Sequence, residues 1–551
     1  VQGYLFISYN EILTELSGLN NLFSVGQSLS ITHNNSLTNL SGLDNLTSIG
    51  GNLSIGENFA LTNLSGLENL TFIGGDLNIR NDHALTNLTG LNNLYSLGED
   101  LLINNNSLLT SLTGLDALAS VGGNIRIEST ESLTSLTGLD ALASVGGNIN
   151  ILYNYALTSL SGFGAFTSVG GGIGIYNNSV LTNLGLENLT SIGGSFVIGD
   201  SGYGGNPSLT SLSGLDNLTF IGGDLEIYDN DALISLSGFG PEISIGGSLI
   251  ITNNNNLTTL NGLNMKISIG ECFLINRNSS LTSLTGFGGD ISVGGGLYIY
   301  DNQILASLTG LEAITSIGGS VEIHYNNALT SLSGFGTVIP IGEDLSIYNN
   351  DALESLSGME NVTAIGGGIN INHNSSLRNM SGLENVMFIN GDIHVESNLI
   401  LTSLSGFDNI SAGSIINLSI LNNPSLSLCN IQSICEFLLS PNGVIDIHDN
   451  WAECYDRAAV EESCEDFSIE EQFSEDYLSI FPNPAKHEIC VSTEDGRAVD
   501  EVNIYSHTGQ HILHNRPLHS TIDISGLQPG MYIVEITVES NRIRHKLMVK
   551  R

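Results

Sequence analysis

The sequence predicts an all-β protein: a parallel β-solenoid of 24-residue coils, a disulfide-stapled C-terminal cap and a small C-terminal β-sandwich. Three observations predict it. A leucine recurs at a spacing of 24 residues from Leu13 through Leu37, Leu61 and Leu85 to Leu401, with one interruption; an asparagine stands three residues before almost every one of these leucines; and composition changes abruptly after residue 428. A fixed period of this size marks units that cannot bury an apolar face alone and do so against their neighbours.

The coil beginning at Leu53 shows how each unit is built. Leu53 and Ile55 alternate with polar residues, the period of a strand with one buried face. Leu61, Leu64, Leu67, Leu70 and Ile73 then step by three, which no 3.6-residue helical stripe sustains, so the remainder reads as short extended segments joined by turns. Gly66 and the pair Gly74-Gly75 mark corners whose backbone angles only glycine adopts cheaply. The asparagines, among them Asn10, Asn34, Asn58 and Asn106, form a column in which only Asp82 and Thr130 are substitutes. Stacked, they can bond side chain to side chain and to the backbone of a buried turn, so their expected role is structural. The period breaks between Leu181 and Leu209. There Leu184-Gly185-Leu186 has lost a residue and Ser201-Gly202-Tyr203-Gly204-Gly205 enlarges the next turn, a place where repeat proteins often put contacts.

The pattern Leu-x-Ile-x-x-Asn-x-x-Leu-x-x-Leu-x-Gly-Leu resembles the leucine-rich repeat, and the fuller unit with its Ile-Gly-Gly corner is similar to the receptor L domain repeats of bacterial surface proteins. The resemblance covers residues 1–428, the solenoid domain of about 17 coils. One residue more separates the asparagine from the next leucine than in an ordinary leucine-rich repeat, which favours a closed, triangular β-helix over a helix-lined horseshoe. Such solenoids host many ligands, so the resemblance bears on architecture more than on task.

Charge narrows the partners. The net charge is −42, and residues 1–428 carry 35 acidic side chains against five basic ones. Such a surface repels nucleic acid and anionic lipid, and keeps a repetitive β-rich chain soluble and apart from its copies. No apolar run is long enough to span a membrane. Val1 to Asn10 read as the strand and corner of a preceding coil, so the N-terminus is expected to be processed or truncated.

Residues 429–465 read as the cap. Cys429, Cys435, Cys454 and Cys464 crowd there, residues 429–439 have a helical pattern, and Val444 to Asn450 repeat the strand of the coil once more. A terminal cap must cover the last exposed core, and disulfides staple small ones; the competing zinc site lacks a Cys-x-x-Cys pair. Two bridges are expected, with pairing open. Residues 466–477 form an acidic linker.

From Leu478 short alternating runs at 489–491, 502–505, 521–524 and 532–538 predict a separate β-sandwich. Residues 478–551 resemble the type A C-terminal sorting domain of the type IX secretion system of Bacteroidota. The resemblance rests on Leu478-Ser479-Ile480-Phe481-Pro482-Asn483-Pro484, on Val502 to Gln510 with Gly509, on Leu527-Gln528-Pro529-Gly530-Met531-Tyr532, and on the ending Lys546 to Arg551 with Lys550. It implies export across the outer membrane, recognition by the secretion machinery, removal of the domain in the linker, and attachment of the remainder to surface lipopolysaccharide.

Convergent chemistry is absent from the sequence of the solenoid. His33, His83, His324, His373 and His394 are scattered, and neither His-Glu-x-x-His nor Gly-x-Ser-x-Gly occurs. No enzyme, cofactor or metal is therefore expected. Tyr176, Tyr228, Tyr300 and Tyr348, with His324, occupy one position of the coil just after the inward isoleucine, and alternation sends them outward, with Tyr298 joining Tyr300 on its strand. They are the candidate ligand stripe, suited to stacking on sugar rings or on a protein partner. Threonines at Thr38, Thr62, Thr86, Thr110, Thr134 and Thr158 form a hydroxyl row of the kind ice-binding surfaces present, although Ile234, Ala306, Glu354 and Arg378 interrupt it. The leading expectation is a secreted, outer-membrane-attached adhesin or ligand-binding solenoid for a glycan or protein. A self-associating sheath or filament is the alternative, with ice binding and hydrolysis behind it.

Overall fold

The computed structural model describes residues 1–263, 266–335, 340–465, 478–483, 485–493, 499–506, 511–515, 521–538 and 541–550. The expected acidic linker at 466–477 and the motif residues Pro484, Gly509 and Arg551 lie outside them. The chain divides into two compact units, residues 1–305 with 309–313, and residues 306–308 with 314–551.

In the first unit the predicted parallel solenoid is present. Four-residue strands such as Leu29–Thr32, Leu53–Gly56 and Leu77–Arg80 pair in parallel with a register of one coil, Leu29 against Leu53 and Leu53 against Leu77, and the series runs on to Leu297–Tyr300. Two-residue strands such as Ser48–Ile49 and Phe72–Ile73 make a second parallel sheet. The extended side carrying Leu61 and Leu64 forms no ladder; single bonds such as Thr62 N–H to Thr38 C=O, 3.2 Å, hold it to its neighbour. Leu61, Leu64, Leu67, Leu70 and Ile73 are fully buried, so the step of three is the spacing of inward side chains around the coil.

Two hydrogen-bonded ladders fix the corners of the long strands. Asn34 Oδ1 accepts from Asn10 N–H, Asn34 N–H donates to Asn58 Oδ1 at 3.0 Å, and Asn34 Nδ2 donates to the carbonyl of Ile7 one coil back at 2.8 Å. This is the expected asparagine column, fully buried from Asn34 onward. The second ladder precedes the strand: Asp76 N–H donates to Asn52 Oδ1, Asp100 N–H to Asp76 Oδ1 and Asn124 N–H to Asp100 Oδ1, at 3.1, 2.9 and 2.6 Å.

Glycine serves the corners for two different reasons. Gly66 has φ +113°, and a Cβ there would lie 2.1 Å from the Leu40 carbonyl oxygen. Gly74 does not need unusual angles; its Cβ would meet the Gly50 carbonyl oxygen at 2.2 Å, so close approach of successive coils is the constraint. In the regular coils a non-glycine immediately before the buried column residue is left-handed, such as His33, Glu57, Asn81 and Tyr153 with φ between 56° and 58°. The ladder bonds on either side of this residue hold it there.

The second unit contains further long strands from Val321–His324 to Ile445–His448, again paired in parallel. Its cap holds two helices, α1 (Gln432–Leu439) and α2 (Arg457–Glu465), with α2 packed against the last strand. The four clustered cysteines form two bridges, Cys429–Cys454 and Cys435–Cys464. Past residue 478 lie two antiparallel sheets. One joins Leu478–Phe481, Glu488–Thr493 and Thr521–Asp523; the other orders His511–Asn515, Glu501–Ser506, Gly530–Val538 and Asn541–Val549. Ile489, Val491, Ile504, Val534, Ile536 and Leu547 fill the core between them.

Candidate functional site

A polar coil surface can bind only where its atoms are not already committed. The threonine row is committed: the hydroxyls of Thr62, Thr110, Thr134 and Thr158 each donate to the carbonyl of the threonine one coil earlier, at 3.2 to 3.3 Å. By contrast, the outward residue that ends each long strand varies freely. In the first unit the pairing aligns Arg80, Asn104, Glu128, Leu152 and Tyr176 in one column.

The candidate stripe divides within this column. Tyr228 is followed by Thr252, Asn276 and Tyr300, so three strand spacings, roughly 14 Å, separate the two tyrosines. Tyr176 and Tyr298 fold back over the glycine two residues earlier. A Cβ on Gly174 would meet the Tyr176 hydroxyl at 2.1 Å, and one on Gly296 the Tyr298 ring at 2.5 Å. The two rings therefore lie along the sheet. In the second unit His324 and Tyr348 stack face to face, 4.4 Å between centroids and 7° between planes.

The register break builds what the regular coils do not. Its strand is only Phe196–Ile198, and Gly199, at φ +79°, occupies the place of the outward residue. A Cβ on Gly199 would lie 1.8 Å from the Tyr228 carbonyl oxygen, so the chain leaves the sheet there. Asp200 closes the excursion: its Oδ1 accepts from Gly202 and Tyr203 N–H at 2.7 and 3.0 Å, and its carbonyl accepts from Gly204 N–H at 2.8 Å. Asn177 N–H then donates to the Gly204 carbonyl and pins the loop to the preceding coil. The result places the Tyr203 ring 5.4 Å from Tyr176 and 6.5 Å from Tyr153, with Tyr153 in turn 6.5 Å from Tyr155. Tyr203 is 49% exposed and Tyr155 46%.

Immediately before this aromatic group lies a cleft of about 410 Å³ lined by Arg80, Asn81, Asn104, Asn105, Glu128 and Ser129. Arg126 Nε pairs with Glu128 Oε2 at 2.6 Å, and Asn105 Nδ2 donates to Asn81 Oδ1 at 2.6 Å. On the other side stand carboxylates. Burial, reinforced by Asp224 and Asp200, raises the pKa of Glu226, to which the Tyr228 hydroxyl bonds. Burial and the charges of Asp200 and Glu226 push the Tyr176 hydroxyl to about 12. Burial, Glu226 and Asp200 do the same for Tyr228. A second cleft of about 500 Å³, in the second unit, is lined by residues including Asp344, Ser346, Asn370, Asp392 and His394.

Sequence reasoning pointed to Tyr176 and to the enlarged turn, and the structure brings them together. It missed Tyr153, Tyr155 and the cleft. Tyr153 occupies the left-handed corner, a position of no fixed composition. Among the described residues no cluster of three or more His, Cys, Asp or Glu is placed to hold a metal ion, and no helix is long and apolar enough to cross a membrane.

At the other end of the chain the motif residues hold the last strand. Asn483 Nδ2 donates to the Lys546 carbonyl at 2.6 Å and its Oδ1 accepts from Met548 N–H at 2.9 Å. Lys550 N–H donates to the Ala485 carbonyl at 2.8 Å. Tyr532 Oη reaches the Gln528 carbonyl at 2.9 Å and closes the turn through Pro529 and Gly530, while Pro482 is exposed beside Asn483. No curated protein matches the chain. Residues 479–550 match the model of the secretion system C-terminal sorting domain. The chain thus carries a type IX secretion sorting signal, which supports secretion by the type IX system and implies interaction with its machinery.

Proposed function

We propose that this is a non-enzymatic, surface-displayed recognition protein of a Bacteroidota species, a receptor L domain-like, leucine-rich solenoid that binds a ligand on the outward face of its long-strand sheet. The sorting domain accounts for export; its removal within residues 466–477 and linkage of the remainder to outer-membrane lipopolysaccharide complete the display. One observation carries the binding reading: the single break in the repeat sets Tyr203 against Tyr176 and Tyr153, beside a polar cleft. Stacking of coils explains the leucines, glycines and asparagines but requires none of these tyrosines. Tyr228, Tyr300, His324 and Tyr348 are then secondary contacts in the same column of their units, with Tyr298 beside Tyr300 on its strand.

The test compares cells displaying the chain with cells displaying the Tyr153→Ala, Tyr176→Ala, Tyr203→Ala combination, at matched surface abundance. Retention is scored on surfaces coated with polysaccharide and with extracellular-matrix protein. Adhesion by the parent that the triple variant loses supports the reading. Equal retention of the two overturns it.

A further inference from the structure

Resting on that reading, we infer that the cleft from Arg80 to Ser129 and the tyrosine group at its end form one binding site for a short neutral oligosaccharide, laid across the strands. The two parts are continuous. Arg80, Asn104, Glu128, Leu152 and Tyr176 follow one another in register, and so do the corner residues Asn81, Asn105, Ser129, Tyr153 and Asn177 beside them. Four strand spacings from the first of these coils to the last make roughly 19 Å, the length of about four pyranose rings.

The chemistry of the walls selects the ligand. Sugar hydroxyls are donors and acceptors on neighbouring carbons, and a carboxamide offers both within one group. Asn104 supplies a whole one, Asn81 keeps its Nδ2 and Asn105 its Oδ1 beside the bond that joins them, and the Ser129 hydroxyl and Glu128 Oε1 line the same cleft. The apolar faces of pyranose rings need a flat aromatic partner, which Tyr203 and Tyr155 provide at about half exposure. A peptide would need a desolvated apolar pocket for an anchoring side chain, and the cleft walls are polar. Charge excludes acidic sugars. Arg126 is paired with Glu128, Arg80 is the one cation among the residues that line the cleft, and the charges of Asp200 and Glu226 act on Tyr176 at the tyrosine end. A sulfated or uronate-rich chain would therefore meet net repulsion.

The site is also preorganised. Asp200 and Asn177 hold the loop by four hydrogen bonds, and both polar ladders hold the strands beneath, so little ordering opposes binding.

The experiment titrates the full chain with neutral gluco-, manno-, xylo- and chito-oligosaccharides of two to six units, and with uronate and sulfated oligomers of equal length, by calorimetry. The expected result is binding of at least one neutral series, with affinity rising to about four units and then levelling. Tyr203→Ala and Asn104→Ala each lower that affinity at least tenfold, with unchanged circular dichroism and thermal midpoint, while Tyr95→Ala, at an exposed tyrosine beside the second sheet, leaves it unchanged. Removal of residues 201–203 is a second route to the same loss. No binding of any neutral series at millimolar concentration, tighter binding of the acidic oligomers, or full affinity in the Tyr203→Ala chain overturns the inference. If neutral oligosaccharides fail while the displayed chain still adheres through its tyrosines to a protein-coated surface, the ligand class is refuted and the recognition face stands.

Discussion

Asp82 sits in the buried asparagine column, and Asp82→Asn tests the energetics of that column directly. Every neighbouring asparagine uses Nδ2 to donate to the inward isoleucine one coil back, as Asn58 does to Ile31 at 2.9 Å and Asn106 to Ile79 at 2.9 Å. Asp82 lacks that donor. Its Oδ1 accepts from Asn58 N–H at 2.8 Å, and its Oδ2 is buried without a partner. Burial is the main cause that pushes its pKa from 3.8 to about 7, opposed by the bonds from Asn58 and reinforced by the charge of Glu57. The folded state therefore holds a proton that the unfolded chain has released, and stability contributed by this group is fully present below pH 3.8 and lost as pH rises through about 7. At about 1.4 kcal/mol per tenfold change in proton affinity, the loss amounts to ~4 kcal/mol by pH 8. Asparagine carries the missing donor at every pH. Asp82→Asn should therefore stabilise the surrounding coils by several kcal/mol at pH 8 and by little at pH 4. Because a solenoid can open coil by coil, the appropriate readout is hydrogen exchange of the amides of residues 53–106 at both pH values, beside thermal melting. An equal effect at pH 4 and pH 8, or a destabilised variant at pH 8, would refute the reasoning.

Reduction should raise the intact mass by about 4 Da for two bridges, and Cys435→Ser with Cys464→Ser should cost the cap ~3 kcal/mol, read by proteolysis around residue 440; an unchanged mass excludes the bridges. Asn483→Ala removes both side-chain bonds to the last strand and should lower the melting point of the sorting domain by an amount equivalent to ~2 kcal/mol, whereas deletion of residues 478–551 should leave the chain inside the cell envelope; surface display by the deletion variant would sink the export assignment. Gly66→Ala should destabilise its coil by more than 1 kcal/mol, since the new methyl group would sit 2.1 Å from the Leu40 carbonyl oxygen at a positive φ; exchange rates equal to the parent's would contradict this.

Much of the fold was legible because stacking leaves so little freedom. Parallel pairing with a one-coil register demands equal spacing, and a buried corner demands a side chain that both donates and accepts, so the leucine and asparagine columns show through the sequence. The second ladder was not visible. Its position takes serine, asparagine or aspartate, as at Ser28, Asn52 and Asp76, since it needs only a short side chain with an acceptor. Helix α2 escaped because its sequence is mostly polar, with Val460 buried and the Cys435–Cys464 bridge tying it to α1. The enlarged turn was visible as a break in period. Where Tyr203 would point depends on the Asp200 turn and the two flanking glycines, which is three-dimensional information.

The placement of the candidate site between two ladders has a physical reason. Most long strands are fixed at the start by the serine, asparagine or aspartate column, with glycine in its place at Gly172, Gly296 and Gly368, and just past the end by the asparagine column, so the backbone between them is set without help from the outward side chain. That side chain can then change without a cost in register. The column duly reads Thr32, Gly56, Arg80, Asn104, Glu128, Leu152 and Tyr176, seven different residues on one unchanged hydrogen-bond pattern. A surface whose specificity can be rewritten one coil at a time suits recognition, and Arg80→Tyr, at an exposed position of the column, provides a direct check. It should add a ring at the far end of the cleft and tighten neutral oligosaccharide binding by severalfold without shifting the thermal midpoint. A variant that unfolds would show that the strand ends are not held independently of the column, and the argument for a freely variable face would fail with it.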